Sequence, residues 1–302
     1  MNNDFLSVLI DPATNETLQY DHVNDNLFSV QSVETFAIKG NMAIVLPNTQ
    51  LIIDTTSKVL QQYQLPFQYQ EHYQKDAEFF DYTNLIESAA TTHELQRLEE
   101  AILSRINAES KLLLDIGCGK AWVAKRCLPM GKTVISMDIS TINPIKALTT
   151  YPHEKHFGLV ADVYYLPIKN NSIDVIIAAE IMEHVPNPKQ FVAILYSKLQ
   201  PNGKLIITTP YNEKIEYNLC VHCNKPSPRN AHLHSFCEAN IGQLIPEGAI
   251  YNLDKFMNKH LGKLRTHILL KYLPFKVWYW VDKLANAITN KPVRLLIEIQ
   301  KP

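Results

Sequence analysis

Three acids close three apolar runs in this chain. Asp115 follows Leu112-Leu113-Leu114, Asp138 follows Thr133-Val134-Ile135-Ser136-Met137, and Asp162 follows Phe157-Gly158-Leu159-Val160-Ala161. Gly117 and Gly119 flank Cys118 just after the first acid. Glycines in a turn let the backbone approach a ligand closely and adopt positive φ. A carboxylate about 20 residues further on, at the tip of the next strand, can accept hydrogen bonds from ribose hydroxyls. Asp138, with Ile139 beside it, stands there. A dinucleotide fingerprint needs a third glycine, and Trp122 occupies that place. The pattern therefore favours an adenosine cofactor without a pyrophosphate.

A second cluster is Glu180, Glu183 and His184. On a helix starting at Glu180 the other two fall at i+3 and i+4, on one face. Three chemistries compete for it. Glu180 can touch cofactor or substrate while Glu183 and His184 cap and pack. His184 can act as a general base, with Glu183 beside it. The carboxylates and the imidazole can also hold Mg²⁺ or Mn²⁺. Further on come Cys220-Val221-His222-Cys223, His232 and His234. Cys220, Cys223, His232 and His234 have the donor chemistry of a tetrahedral zinc site, although two histidines only two apart depart from the finger spacing. The alternative is a pair of ordinary loop thiols. The two metal readings compete for His234.

These residues need elements to position them. The continuous apolar runs at 112–116, 133–138, 157–161, 173–179 and 203–210 suit strands buried on both faces of a parallel sheet. The intervals between the earlier runs can hold helices, which gives repeated βαβ units. Thr91 with Glu94 reads as a capping box, and Leu95, Leu98, Ile102 and Ile106 form a helical stripe that should cover the first strand. The final run, 292–300, reads as a last strand.

The DIGCG turn at 115–119, Asp138, Ala161-Asp162, AAEIMEHV at 178–185 and LQPNGKLIITTP at 199–210 occur in this order. Together they resemble the class I S-adenosylmethionine-dependent methyltransferases, of the methyltransferase type 11-like kind, over roughly residues 85 to 302. The resemblance implies an α/β, Rossmann-like, seven-stranded, mostly parallel sheet with an antiparallel last strand at its edge. It implies that Asp115 helps place the methionine amino group, with backbone from Gly117, Cys118 and Gly119. It assigns the ribose to Asp138 and the adenine amino group to Asp162, with Val163 beside it. Glu180 joins the cofactor set, and the reaction centre falls at Glu183-His184. Lys120 departs from the small residue often found there, and either points outward or narrows the pocket. Glu-x-x-Glu-His also resembles the metal-binding segment of ubiquinone-pathway O-methyltransferases and of small-RNA 2′-O-methyltransferases. The latter add a later histidine, which maps to His232 or His234.

Residues 1–47 read as a small β-rich accessory lobe, with Lys39-Gly40-Asn41 a turn between two strands. The lobe resembles the zinc-ribbon-like domain of several methyltransferases. Asp11 stands where cysteine is often found, so a metal there is not expected. The lobe is either a docking site for substrate or a protein partner, or a stabilising appendage. Residues 48–84 read as a connector and cofactor lid with aromatic landmarks at His72-Tyr73 and 79–82. Residues 85–302 are the main domain, with 211–262 a substrate-side insertion. The segment after 259 mixes aromatics with basic residues, a pattern that covers a sheet or lies on a membrane surface as a peripheral contact.

The net charge of −1 in 302 residues argues against non-specific nucleic-acid binding. No basic start precedes an apolar segment, no run is long enough to span a bilayer, and five cysteines fit a reducing cytoplasm. The expected function is direct methyl transfer to an O, N or C acceptor, with a small molecule favoured over RNA. A silent methyltransferase-fold scaffold and a nicotinamide-dependent oxidoreductase are the rivals.

Overall fold

The computed structural model describes residues 3–302 apart from 33, 50, 66 and 83–86. The boundary drawn at 84/85 lies outside the described residues. Each apolar run becomes a strand: β5 (Leu112–Ile116), β6 (Thr133–Asp138), β7 (His156–Ala161), β8 (Ile173–Ala179) and β9 (Leu199–Pro210). Alternation decides which face each residue serves. Leu114 and Ile116 of β5 join one buried cluster with Ile135, Phe157 and Ile176, while Leu113 joins the other with Val134, Val175 and Ile206. Both faces are therefore covered, as parallel strands require.

The sheet is larger than the seven strands expected. Four strands of the N-terminal segment, β1 (Gln19–Asp21), β2 (Asn26–Phe28), β3 (Thr35–Lys39) and β4 (Met42–Val45), form an antiparallel meander. β4 then pairs in parallel with β7, so the meander extends the main sheet. Gly158 faces Met42 in that register, and a Cβ on it would lie 3.0 Å from the Met42 and Leu148 side chains, so the bare backbone makes room for β4. Phe5 stacks on Phe157 with ring centroids 4.7 Å apart. The presumed lobe is thus a continuation of the core.

A small hairpin joins β10 (Tyr217–Leu219) to β11 (Pro226–Pro228), and β12 (Ile250–Asn258) precedes β13 (Pro292–Gln300). Among the described residues the eleven-stranded order is β1-β2-β3-β4-β7-β6-β5-β8-β9-β13-β12. β13 is antiparallel, as expected, but it is not the edge. It lies between β9 and β12, because its apolar residues pack on both faces while β12 begins exposed.

Helix Ala89–Leu103 covers β5 through Leu98 and Ile102. Its cap is Ser88, whose hydroxyl accepts from the Thr91 N–H, rather than the Thr91–Glu94 box. Strand order reverses at β5, with β6 on one side and β8 on the other. Ligands of open α/β sheets bind outside the strand ends at such a switch point.

Candidate functional site

A cavity of about 910 Å³ opens at that switch point. The turn after β5 forms its floor. Gly117 and Gly119 adopt φ of +68° and +43°, and the Cys118 N–H donates to the Met137 carbonyl at 2.9 Å, tying the turn to β6. A Cβ on Gly117 would fall 2.9 Å from Ile181 Cγ1 and closer still to Cδ1, so only glycine fits. Gly117, Gly119, Asp138, Ile139, Asp162, Val163 and Glu180 all line the cavity. Cys118 is buried, and burial holds its thiol well above the usual range, so it contributes backbone only. Lys120 turns away to Glu87, 3.1 Å from its carboxylate.

Asp138 ends β6 with one carboxylate oxygen accepting from the Ser140 N–H at 2.9 Å and the other from Asn143 Nδ2 at 3.0 Å. Asp162 is fully buried. Its Oδ1 accepts from the Tyr164 N–H at 2.8 Å, and its Oδ2 accepts from Tyr69 and Gln70, each at 2.6 Å. Tyr69 and Gln70 begin helix Tyr69–Phe79, which lies along the cavity and contributes His72, Tyr73 and Asp76 to its wall. Sequence reasoning placed a lid here but missed this latch. A carboxylate has about four lone-pair positions, so one remains at Asp162 for a further donor.

Asp115 does not line the cavity. It is buried beneath the glycine turn, and Oδ2 has no partner. Burial, reinforced by the charge of Asp138, pushes its carboxyl up to about 8. An unfolded Asp ionises near 3.9. The folded state therefore binds one proton more than the unfolded state between pH 4 and 8, and stability falls as pH rises through that window. Asp115→Asn removes this term. The variant should gain at least about 1 kcal/mol on the wild type between pH 5 and pH 8, measured by denaturant unfolding at both values. An identical pH dependence in the two proteins would contradict the assignment.

The second cluster is built by the turn after β8. Glu180 adopts φ +58°, unusual for a residue with a side chain, and such strain concentrates at functional sites. Its Oε2 lies 3.1 Å from Arg294 Nε at the start of β13, a partner the sequence did not suggest, while Oε1 is buried without one. Glu183 is buried and accepts from the Thr209 hydroxyl at 3.0 Å. Burial and the neighbouring Glu180 raise its carboxyl well above the ordinary range. The Glu183 carbonyl accepts from the Leu233 N–H at 2.7 Å, which pins the later loop here. That pin sets His232 beside His184, with ring centroids 4.8 Å apart. His184 Nδ1 lies 3.3 Å from the Ala231 carbonyl, and burial lowers its pKa to about 4, so it is neutral at physiological pH. His232 Nδ1 lies 2.5 Å from Glu213 Oε2. Glu183, His184 and His232 can each place a ligand atom within 4.8 Å of the others.

The four expected zinc ligands are not gathered into one group among the described residues. His232 joins Glu183 and His184, and His234 Nε2 is spent on the Val185 carbonyl at 3.0 Å. Cys220 and Cys223 sit on the tip of the β10–β11 hairpin, where N–H groups of Cys223 and His222 hold the Cys220 thiol below its usual range. The sequence spacing could not show which of two nearby histidines the Glu183 carbonyl would draw in.

A family profile described as "Methyltransferase domain" matches residues 86–248, more than half of the chain. A ubiquinone biosynthesis O-methyltransferase of Rickettsia canadensis is 35% identical over 132 residues, covering 41% of this chain and 54% of that protein. The enzyme of that name from Rickettsia typhi is 27% identical over 216 residues, covering 66% of this chain and 85% of its own length. The first of these alignments spans only about half of the curated relative. Among solved structures, the [4+2]-cyclase SpnF superposes with a TM-score of 0.51 at 15% identity, covering 85% of this chain and 99% of that one. At that identity the likeness concerns the fold alone. No helix among the described residues is long and apolar enough to cross a membrane. With the profile match laid over the glycine turn, the strand-tip acids and the Glu180–His184 turn, the chain belongs to the methyltransferase-domain family.

Proposed function

We propose that the protein transfers a methyl group from S-adenosylmethionine to a hydroxyl of a small, largely apolar acceptor. One observation carries this reading. A single cavity has Gly117, Gly119, Asp138 and Asp162 among its lining residues, and His184 and His232 as well. The first group would hold the nucleoside, with Asp138 on the ribose and Asp162 on the adenine amino group. When bound, the sulfonium supplies an already activated methyl group, so the protein's main task is alignment. The acceptor proton must still be removed. His232, oriented through Nδ1 by Glu213, offers Nε2 for that purpose. Neutral His184 stands beside it. The names of the Rickettsia relatives support a hydroxyl acceptor of the ubiquinone-precursor type.

The test is calorimetric titration with S-adenosylmethionine and, separately, with NAD, followed by radiolabelled methyl transfer to a phenolic acceptor. Binding of the first alone, with label in the phenol, is the expected result. Binding of NAD alone would establish the oxidoreductase. Binding of neither would favour a scaffold. Methyl donor bound without transfer to any acceptor would favour other chemistry on the same fold, as in the cyclase neighbour.

A second reading rests on the grouping of Glu183, His184 and His232. One carboxylate and two imidazoles suit a divalent cation, and Ala231 and Glu213 already fix the outward nitrogens as outer partners of metal ligands do. Such an ion would lower the pKa of an acceptor hydroxyl. Chelation should then abolish transfer, and Mn²⁺, Mg²⁺ or Zn²⁺ should restore it. Activity that survives chelation leaves the histidine base alone.

A further inference from the structure

Helix Phe275–Thr289 has two apolar faces where a surface helix needs one. The inner face is fixed. Trp278 is 4% exposed beneath Arg97, and Asp282 is fully buried, accepting the N–H groups of Met257 and Asn258 at 3.0 and 2.6 Å. On the other face Val277, Trp280, Leu284 and Ile288 follow a 3-4-4 spacing that aligns them in one stripe. Trp280 and Ile288 are 76% and 75% exposed. The preceding helix His267–Leu270 and its flanks add exposed Leu264, Leu269 and Tyr272. Monomeric soluble proteins rarely leave so much contiguous apolar surface in water.

Charge identifies the occupant. Residues 259–291 contain seven Lys and Arg and one acid, Asp282, in a chain whose net charge is −1. That acid is buried. Lys259, Lys263, Arg265, Lys271 and Lys276 are all exposed. A second copy meeting this face across a two-fold axis would set the same basic residues against one another. An anionic bilayer would satisfy both the apolar stripe and its basic surroundings. We propose that the excursion between β12 and β13 is an interfacial docking surface that rests on an anionic lipid membrane, with the Val277–Ile288 stripe entering the headgroup layer. The excursion leaves and rejoins the sheet at the end where Arg294 meets Glu180, because Asn258 pairs with Pro292 there. Docking would bring the substrate end of the sheet near a lipid phase.

The test uses the full chain without cofactor, so it stands apart from the methyl-transfer reading. The protein is sedimented with vesicles of phosphatidylcholine alone and of phosphatidylcholine mixed with phosphatidylglycerol. Binding to the anionic vesicles only, weakened by salt, is expected. The double variant Trp280→Glu/Leu284→Glu should lower that partitioning at least about tenfold. Lys271→Glu/Lys276→Glu, which leaves the apolar stripe intact, should lower it by about 25-fold or more, since each cation near an anionic surface contributes roughly fivefold. Circular dichroism checks the fold of both. The proposal is overturned by absence of binding to the anionic vesicles, by equal binding to neutral vesicles, or by variants that bind like the wild type; a concentration-dependent dimer that Trp280→Glu/Leu284→Glu abolishes, with no vesicle binding, would assign the stripe to a second copy instead.

Discussion

Asp138→Ala is expected to weaken S-adenosylmethionine binding by about 100-fold or more. The side chain sits at the tip of β6, 8% exposed, with one acceptor position on each oxygen taken by Ser140 and Asn143. The carboxyl lines the cavity, and although burial raises its pKa, Asn143, Ser140 and the Gly119 N–H favour its ionised form. A ribose presents two vicinal hydroxyls, and hydrogen bonds to a charged acceptor are worth about 1.5–3 kcal/mol each. Losing two costs about 3–6 kcal/mol before water compensates, which corresponds to two to four orders of magnitude in affinity. The alanine variant also releases the Ser140 N–H and the Asn143 amide, and each buried donor left alone costs about 1–3 kcal/mol of stability. Asp138→Asn separates the two effects, because it keeps an acceptor for the turn but loses the charge. Calorimetry gives the affinities and thermal unfolding the stabilities. Affinity in the alanine variant within threefold of the wild type would detach the ribose from β6.

What the sequence made legible here was local. Each of β5 to β9 is a continuous apolar run, and burial on both faces follows from that composition without knowledge of the partners. The acids at the ends of β5, β6 and β7 are equally local, since a strand tip and the residue after it are adjacent in the chain. What escaped depends on contacts between distant segments. Asp162 meets Tyr69 and Gln70, more than 90 positions away. Glu180 meets Arg294 through the return of β13 to the sheet. The N-terminal strands looked like a separate module because their hairpins close on themselves. The parallel register of β4 on β7, opened by Gly158, and the packing of Leu27, Phe36 and Ile38 into the main buried cluster join them to the core. The Cys220–Cys223 pair shows the converse failure. Its spacing suggested a metal, yet of the histidines meant to complete it His232 is held by Glu213 and His234 by the Val185 carbonyl, partners that spacing does not encode.

His232→Ala should lower kcat by about 10²–10⁴-fold, the range for loss of a positioned acid–base group, while S-adenosylmethionine affinity stays within about twofold. The split follows from position. His232 stands at the cluster with His184 and Glu213, whereas the strand-tip acids and the glycine turn make the proposed nucleoside site. Glu183→Gln then decides what the cluster is. Glu183 is buried, accepts from Thr209, and has Glu180 as its charged neighbour, so burial and like charge favour its neutral form. A neutral carboxyl is nearly isosteric with an amide. If the cluster works through histidine alone, Glu183→Gln keeps the Thr209 bond and reduces kcat less than tenfold. If the cluster binds a divalent cation, the ion holds Glu183 ionised, and the amide forfeits a charged ligand. The loss then exceeds about 100-fold, and the apparent metal requirement shifts to higher concentration. Measuring kcat for both variants across a metal titration therefore separates base catalysis from metal-assisted ionisation in one experiment. Full activity in His232→Ala would remove the cluster from the reaction under either reading.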